Sequence, residues 1–175
     1  MAGLAGLALE KGHKVSGQDE AYYPPMSDQL DLLGIRQNKT EDRTEDLKKC
    51  DVVIIGNSQS RGVDSVEYTL NNNLKYFSGP EWIKKYILKD KFVFVISGTH
   101  GKTTTSSMLI KILQENKLDP SYLLGGIHLE EKTSYKYTNS KYFIIEGDEY
   151  DTSFFEKRSK FIHYKPNTLI INNLE

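Results

Sequence analysis

Sulfur cross-linking is the first thing this sequence lacks. A single cysteine, Cys50, excludes an internal disulfide framework. It lies just ahead of a buried-strand pattern and reads as inert packing in a reducing compartment, the cytoplasm. No apolar run approaches the roughly 20 residues that a helical membrane span needs. The opening segment, Met1 to Leu9, has neither the basic leader nor the small-residue cleavage site of a signal sequence. With Glu10-Lys11-Gly12-His13 closing it, it reads as a packed amphipathic helix. Neither sign of charge is in excess: 23 Lys and Arg stand against 24 Asp and Glu, a net charge of -1. Electrostatics therefore give no reason to expect nucleic acid or an anionic membrane as a partner, and Lys48-Lys49 and Lys84-Lys85 read as solvated faces. Repeats and low-complexity tracts are also missing. What remains, 38% hydrophobic and 27% charged over 175 residues, is ordinary globular composition for one domain or two small ones.

What is present begins with Gly98-Thr99-His100-Gly101-Lys102-Thr103-Thr104. It follows the apolar run Phe92 to Ile96 and precedes a helical pattern through Leu113. Glycines let backbone turn sharply and approach an anion, and a helix opening there presents free amides and the positive end of its dipole. Lys102 places a point charge suited to β and γ phosphates, and the Thr103 hydroxyl suits Mg²⁺. Only the inner G-x-x-G-K-T core of the P-loop pattern occurs, since Ile96 stands where the outer glycine is expected. The alternative is an ordinary solvated strand-to-helix turn. A second short strand, Tyr142 to Ile145, runs into the acidic cluster Glu146-Gly147-Asp148-Glu149-Tyr150-Asp151. Ligands of parallel sheets bind beyond the carboxyl ends of strands, so Glu146 is placed to complete a metal site with Thr103. Asp148, Glu149 and Asp151, taken singly, read equally well as a hydrated acidic turn.

The first half alternates strands and helices as a parallel α/β unit does. Strands are expected at Lys14-Val15-Ser16, Asp51 to Gly56 and Tyr76-Phe77. Helices are expected at Met26 to Leu33, Asp64 to Asn72 and Pro80 to Leu88. The charged junction Lys89-Asp90-Lys91 is the expected boundary between a domain at 1–90 and one at 91–175. The polar stretch from Glu130 to Ser140 reads as a surface hairpin or a loop. Both ends look interrupted: the chain opens on a helix where a dinucleotide-type fold opens on a central strand, and it closes just past the strand Thr168 to Asn173. A central strand's absence would leave its neighbours without hydrogen-bond partners.

With these residues in place the sequence resembles the Mur ligases, ATP-dependent amide-forming enzymes of bacterial cell-wall synthesis. The likeness rests on the 98–105 loop and the 146–151 cluster, and covers nearly the whole chain. Further blocks are Tyr23-Pro24-Pro25-Met26-Ser27, Ile55-Gly56-Asn57, Ser78-Gly79-Pro80-Glu81-Trp82, and Asp148 to Asp151 running into Phe154 to Phe161. They resemble the branch that attaches a ready-made murein tripeptide to UDP-N-acetylmuramate. The alanine-adding branch usually has serine where Tyr150 stands.

The resemblance implies an α/β fold with a Rossmann-like amino-terminal domain lacking its first strand (1–90), which binds a UDP-sugar. The first half of a P-loop-type parallel-sheet ATPase domain follows (91–175). It implies ATP and Mg²⁺ as cofactors, with Gly98, Thr99, His100, Gly101, Lys102, Thr103, Thr104 and Asn173 around the nucleotide. Thr103 and Glu146 would hold the metal, and Lys102 and Glu146 would act in catalysis. Such a piece alone is expected to show little or no ligase activity. Gly147 stands where alanine is usual, a small-for-small change. The UDP-sugar is expected near Ser16-Gly17-Gln18-Asp19 and Asn57 to Arg61, where Arg61 suits a phosphate. His100 either contacts a phosphate or serves as a spacer; His128 and His163 read as surface or core histidines. Rival readings are the alanine-adding branch, a nonenzymatic nucleotide switch, and a dinucleotide-dependent oxidoreductase, against which the Lys-Thr after Gly101 argues.

Overall fold

Short apolar runs separated by helix-forming segments become strands and helices in regular succession. The computed structural model describes residues 1–19, 21–37, 44–128 and 130–173. The first half runs α1 (Ala2–Glu10), β1 (Ser16–Gly17), α2 (Met26–Leu32), β2 (Arg36–Gln37), a 3-10 turn at Leu47–Lys49, β3 (Val53–Ile55), α3 (Asp64–Asn71), β4 (Tyr76–Ser78) and α4 (Gly79–Tyr86). The second runs β5 (Phe92–Ser97), α5 (Lys102–Glu115), β6 (Ser121–Leu123), β7 (Tyr135–Lys136), β8 (Tyr142–Glu146), β9 (Asp151–Ser153), β10 (Glu156–Ser159), α6 (Lys160–Tyr164) and β11 (Thr168–Ile171). Among the described residues no helix is long and apolar enough to cross a membrane.

The second half is organised by a five-stranded sheet in the order β11-β5-β8-β6-β7, parallel except for β7 at its edge. Parallel strands with both faces covered read as continuous apolar runs, and β5 and β8 do. Val93, Val95, Phe143 and Ile145 face one cluster, while Ile96 and Ile144 face the other with Ile110 of α5 and Tyr122 of β6. In the first half, β1 pairs with β2 and β3 with β4, each in parallel, as two separate two-stranded sheets.

Helix α4 begins where the sequence specifies it. Ser78 caps it by accepting the Glu81 amide at 3.3 Å, and Glu81 Oε2 accepts the Ser78 amide at 2.9 Å, a reciprocal capping box. Its apolar face, Trp82 and Ile83, joins Leu4 and Leu7 of α1 and Val93, Val95 and Phe143 of the large sheet in one cluster. The apolar core is thus continuous across residue 90.

The expected amphipathic character of α1 is corrected by the structure. The helix is embedded, not two-faced: Leu4 and Leu7 enter the main cluster, Ala2 packs with Leu30 and Ile35, and Gly3 and Gly6 lie against β6 and β7. A methyl group at Gly6 would come within 2.1 Å of Tyr135 Cζ, and one at Gly3 within 2.6 Å of Leu123 Cδ1. These glycines set how closely the helix approaches the sheet. Gly6→Ala is therefore expected to destabilise the protein by about 1–3 kcal/mol through overpacking, read as a lowered urea midpoint with unchanged slope.

Strand β1 lies at Ser16–Gly17, later than the expected 14–16. The stretch expected as hairpin or loop contributes β7, which pairs antiparallel with β6. Cys50 is half-buried with its thiol 3.2 Å from the Asp46 carbonyl, and burial pushes its pKa up, as inert packing requires. His163 is a core residue and His128 is buried against Tyr122.

Candidate functional site

The parallel pairing of β5 and β8 puts Ile96 opposite Glu146, so both strands end at the same edge. Beyond β5 the chain makes two positive-φ turns, Gly98 at +128° and Gly101 at +79°, and enters α5 at Lys102. Side chains with a Cβ rarely adopt either conformation, which explains glycine at both places. At Gly98 space is also short: a Cβ would lie 2.8 Å from Asn173 Oδ1 and 3.1 Å from the Asn173 amide nitrogen.

Residues just beyond β11 brace the loop. Asn173 Oδ1 accepts the His100 amide at 3.1 Å, the Asn172 amide donates to the Ser97 carbonyl at 3.0 Å, and the Asn172 side chain exchanges hydrogen bonds with Thr105 Oγ1. Asn173, expected around the nucleotide, contacts the loop backbone itself. The His100 backbone is engaged while its residue is exposed. On the other side, Ser97 Oγ donates to the Gly147 carbonyl at 2.8 Å and the Gly147 amide donates to the Ile96 carbonyl at 2.8 Å. A Cβ on Gly147 would sit 2.5 Å from Val95 Cγ1 and 2.8 Å from Phe161 Cβ, so alanine is not a free exchange for glycine here.

Glu146 is 9% exposed, and its Oε1 is buried without a hydrogen-bond partner. Burial pushes its carboxyl pKa up, opposed by the Thr103 hydroxyl, the Gly125 amide and the Lys102 charge. A buried carboxylate with one orphaned oxygen beside a threonine hydroxyl leaves one acceptor to be satisfied by a cation, a water or a proton. No cluster of three or more His, Cys, Asp or Glu able to hold a metal occurs among the described residues. Magnesium does not need one, because it is commonly held by one or two protein oxygens together with water and phosphate. The residues present fit that ion.

Lys102 Nζ donates to the Gly98 carbonyl at 2.7 Å and lies 3.6 Å from Asp148 Oδ1 and 3.9 Å from Glu149 Oε2. The ammonium is thus held inside the turn by carboxylates. Asp148 is corrected from the hydrated-turn reading. It is half-buried, and its Oδ2 accepts from Lys160 Nζ and from the Tyr150 hydroxyl, each at 2.7 Å. Burial acts to raise its pKa, but these bonds and the Lys160 and Lys102 charges outweigh it and hold the carboxyl below its ordinary range. Glu149 and Asp151 are exposed, as a solvated turn predicts.

A cavity of about 360 Å³ opens beside this edge. Its walls include Gly56, Asn57, Gly79 and Pro80 from the first half and Glu146, Asp148 and Lys160 from the second. It reaches one of the two loops expected near the UDP-sugar; Ser16 to Asp19 do not line it. Arg61, expected to suit a phosphate, is engaged by Glu67 through two bonds of 2.8 and 3.0 Å. Sequence reasoning missed Lys160 and the bracing role of Asn172. Lys160 stood inside a block noted only as a likeness, and nothing in its spacing pointed to the cavity.

Fold and site together define a class: an α/β protein whose glycine loop and buried carboxylate meet at the carboxyl ends of adjacent parallel strands. The chain belongs to the Mur ligase family; the model described as "Mur ligase family, catalytic domain" matches residues 1–91. It is 49% identical over 99% of its length to UDP-N-acetylmuramate–L-alanyl-gamma-D-glutamyl-meso-2,6-diaminoheptandioate ligase of Haemophilus influenzae, covering 38% of that protein. It is 46% identical over its whole length to the Escherichia coli K12 protein of the same name, again covering 38%. The crystal structure of the corresponding diaminopimelate ligase from Neisseria meningitides superposes with a TM-score of 0.93 at 46% identity, covering all of this chain and 57% of that one. The chain therefore spans well under half the length of the curated relatives it matches.

Proposed function

We propose that this chain supplies the phosphate- and magnesium-holding part of an ATP-dependent ligase. That ligase joins UDP-N-acetylmuramate to L-alanyl-gamma-D-glutamyl-meso-diaminopimelate through an acyl phosphate. The observation that carries the reading is the meeting of Lys102, Thr103 and the orphaned Glu146 oxygen at one sheet edge. The names of the relatives supply the substrates.

The chemistry explains why such residues are needed. A carboxylate resists attack by an amine because oxide would have to leave; converting that oxygen to phosphate provides a leaving group. Charge spreads over the transferred phosphoryl oxygens in that step, so fixed cations and amides do most of the catalysis. Lys102 is the cation of the loop, and in the reaction it exchanges the Gly98 carbonyl and Asp148 for phosphate oxygens. The amides opening α5 hold the same group, with Gly98 and Gly101 keeping that backbone free of side chains. Bound magnesium would offset phosphate charge between Thr103 and Glu146. Asn172 and Asn173 keep the loop from collapsing. The chain's site is cytoplasmic in this reading, where ATP and the UDP-sugar are available.

The test measures ADP release by a ligase of full family length carrying this sequence. Release is expected only when UDP-N-acetylmuramate and the tripeptide are both present. Release driven by alanine in place of tripeptide would assign the alanine-adding activity instead, and release without any sugar would overturn the ligase reading.

A further inference from the structure

We propose that Lys160 binds the carboxylate of the sugar-side substrate and brings it to the phosphate held by Lys102, with Asp148 and Tyr150 as its positioning residues. This inference rests on the function proposed above and assigns a residue to the acyl half of that site.

Lys160 opens α6, just after the β9–β10 hairpin, and its side chain is 19% exposed. Its Nζ donates to Asp148 Oδ2 at 2.7 Å and to the Tyr150 hydroxyl at 3.0 Å, and it lies 4.3 Å from the centre of the Tyr150 ring. Burial opposes the ammonium charge, but the bonds to Asp148 and Tyr150 and their charges outweigh it, so the group stays charged. An ammonium has three donors, and these contacts occupy two.

Lys160 lines the cavity, whereas Lys102 does not, and it is the only basic side chain among the described residues of that wall. Glu146 lines the same cavity with an orphaned oxygen. An anionic substrate entering there meets two carboxylates, the Met1 amino group, the polar side chains Gln29, Asn57, Ser134 and Thr152, and otherwise mostly apolar side chains and glycine backbone. It needs a cation on its own side, because it must then approach a polyanionic phosphate. Asp148 is shared: its Oδ2 holds Lys160 and its Oδ1 lies 3.6 Å from Lys102. The two ammonium groups are therefore set on either side of one carboxylate, one toward the loop and one toward the cavity. Release of Lys102 to phosphate leaves Asp148 to Lys160 and Tyr150. In the step itself a substrate carboxylate oxygen bonds to the γ-phosphorus while the bond from that phosphorus to the β–γ bridging oxygen breaks. ADP leaves with that electron pair, and no proton moves.

The experiment compares wild type, Lys160→Met and Lys160→Arg in a ligase of full family length. It reads KM for UDP-N-acetylmuramate beside the equilibrium affinity for MgATP. Lys160→Met is expected to raise the sugar KM by about 10- to 100-fold, the range for a lost charge-assisted hydrogen bond, and to leave MgATP affinity within about twofold. Lys160→Arg, which keeps the charge, is expected to recover most of the loss. A sugar KM unchanged in Lys160→Met, or a loss falling equally on MgATP, overturns the assignment. If Lys160→Met melts early, Lys160→Gln, which can still bridge Asp148 and Tyr150, is read by the same criterion. A wild-type enzyme without sugar-dependent ADP release would sink the ligase reading itself, a result separable from any difference between the variants.

Discussion

Lys102→Ala is expected to weaken MgATP binding by at least about 100-fold and to abolish turnover while leaving the fold intact. The size follows from losing charge-assisted bonds to two phosphates, each worth about 1.5–3 kcal/mol. The intact fold follows from what Lys102 leaves behind. Asp148 keeps Lys160 and the Tyr150 hydroxyl as partners, so no buried carboxylate is stranded. The loop keeps its anchors at Asn172 and Asn173. Calorimetric titration with MgATP and a thermal melt separate the two effects. A variant that binds MgATP as wild type does would remove Lys102 from the site; one that loses binding only because it has unfolded would show a low melting temperature.

Glu146→Gln has opposite effects on function and stability. It removes the carboxylate proposed to hold magnesium, so magnesium dependence of nucleotide binding should largely disappear. It should also make the ligand-free protein more stable as pH rises. The sign follows from the raised pKa: below the unfolded value of 4.5 both folded and unfolded forms carry the proton, and the wild-type residue costs nothing extra. Above it the unfolded chain ionises first, so wild-type stability falls with pH until the folded carboxyl also ionises, and then levels off. Glutamine carries no such dependence. The gap in melting temperature should open above pH 4.5 in favour of the variant, by roughly 2–4 °C for each kcal/mol in a chain of this size. Saturating MgATP should reverse the order, because it pairs the ionised carboxylate in wild type alone. A gap that stays constant from pH 4 to 8 would contradict the buried, under-coordinated state of Glu146.

The glycine loop and its partner carboxylate were legible in the sequence because each is a local pattern: an apolar run, a turn residue and a polar group at the strand's end. Parallel pairing then aligns the two ends without further instruction, as Ile96 opposite Glu146 shows. The Mur ligase likeness and the α/β class were readable on the same blocks. Other features were not local. β1 and β2 have two residues each, too few for any periodicity. β9 and β10 are polar, Asp-Thr-Ser and Glu-Lys-Arg-Ser, and owe their pairing to the turn between them and to bonds such as Thr152 Oγ1 to the Arg158 carbonyl at 2.7 Å. Helix α1 reads as amphipathic from its own residues, but Gly3 and Gly6 permit contact with Leu123 and Tyr135, more than a hundred positions away, so it is embedded. Asp148 misled for a similar reason: its two lysines approach from different elements, and sequence spacing carries no trace of their meeting.

The central claim is that backbone amides and one ammonium at the start of α5 grip the phosphates beside a cation shared by Thr103 and Glu146. A crystal structure of the protein with magnesium and a non-hydrolysable ATP analogue tests it most directly. The account predicts the terminal phosphates within hydrogen-bond distance of Lys102 Nζ and the 101–104 amides, with the metal bonded to Thr103 Oγ1 and to the Glu146 carboxylate. Phosphates seated elsewhere, or a metal bound without Glu146, would contradict it.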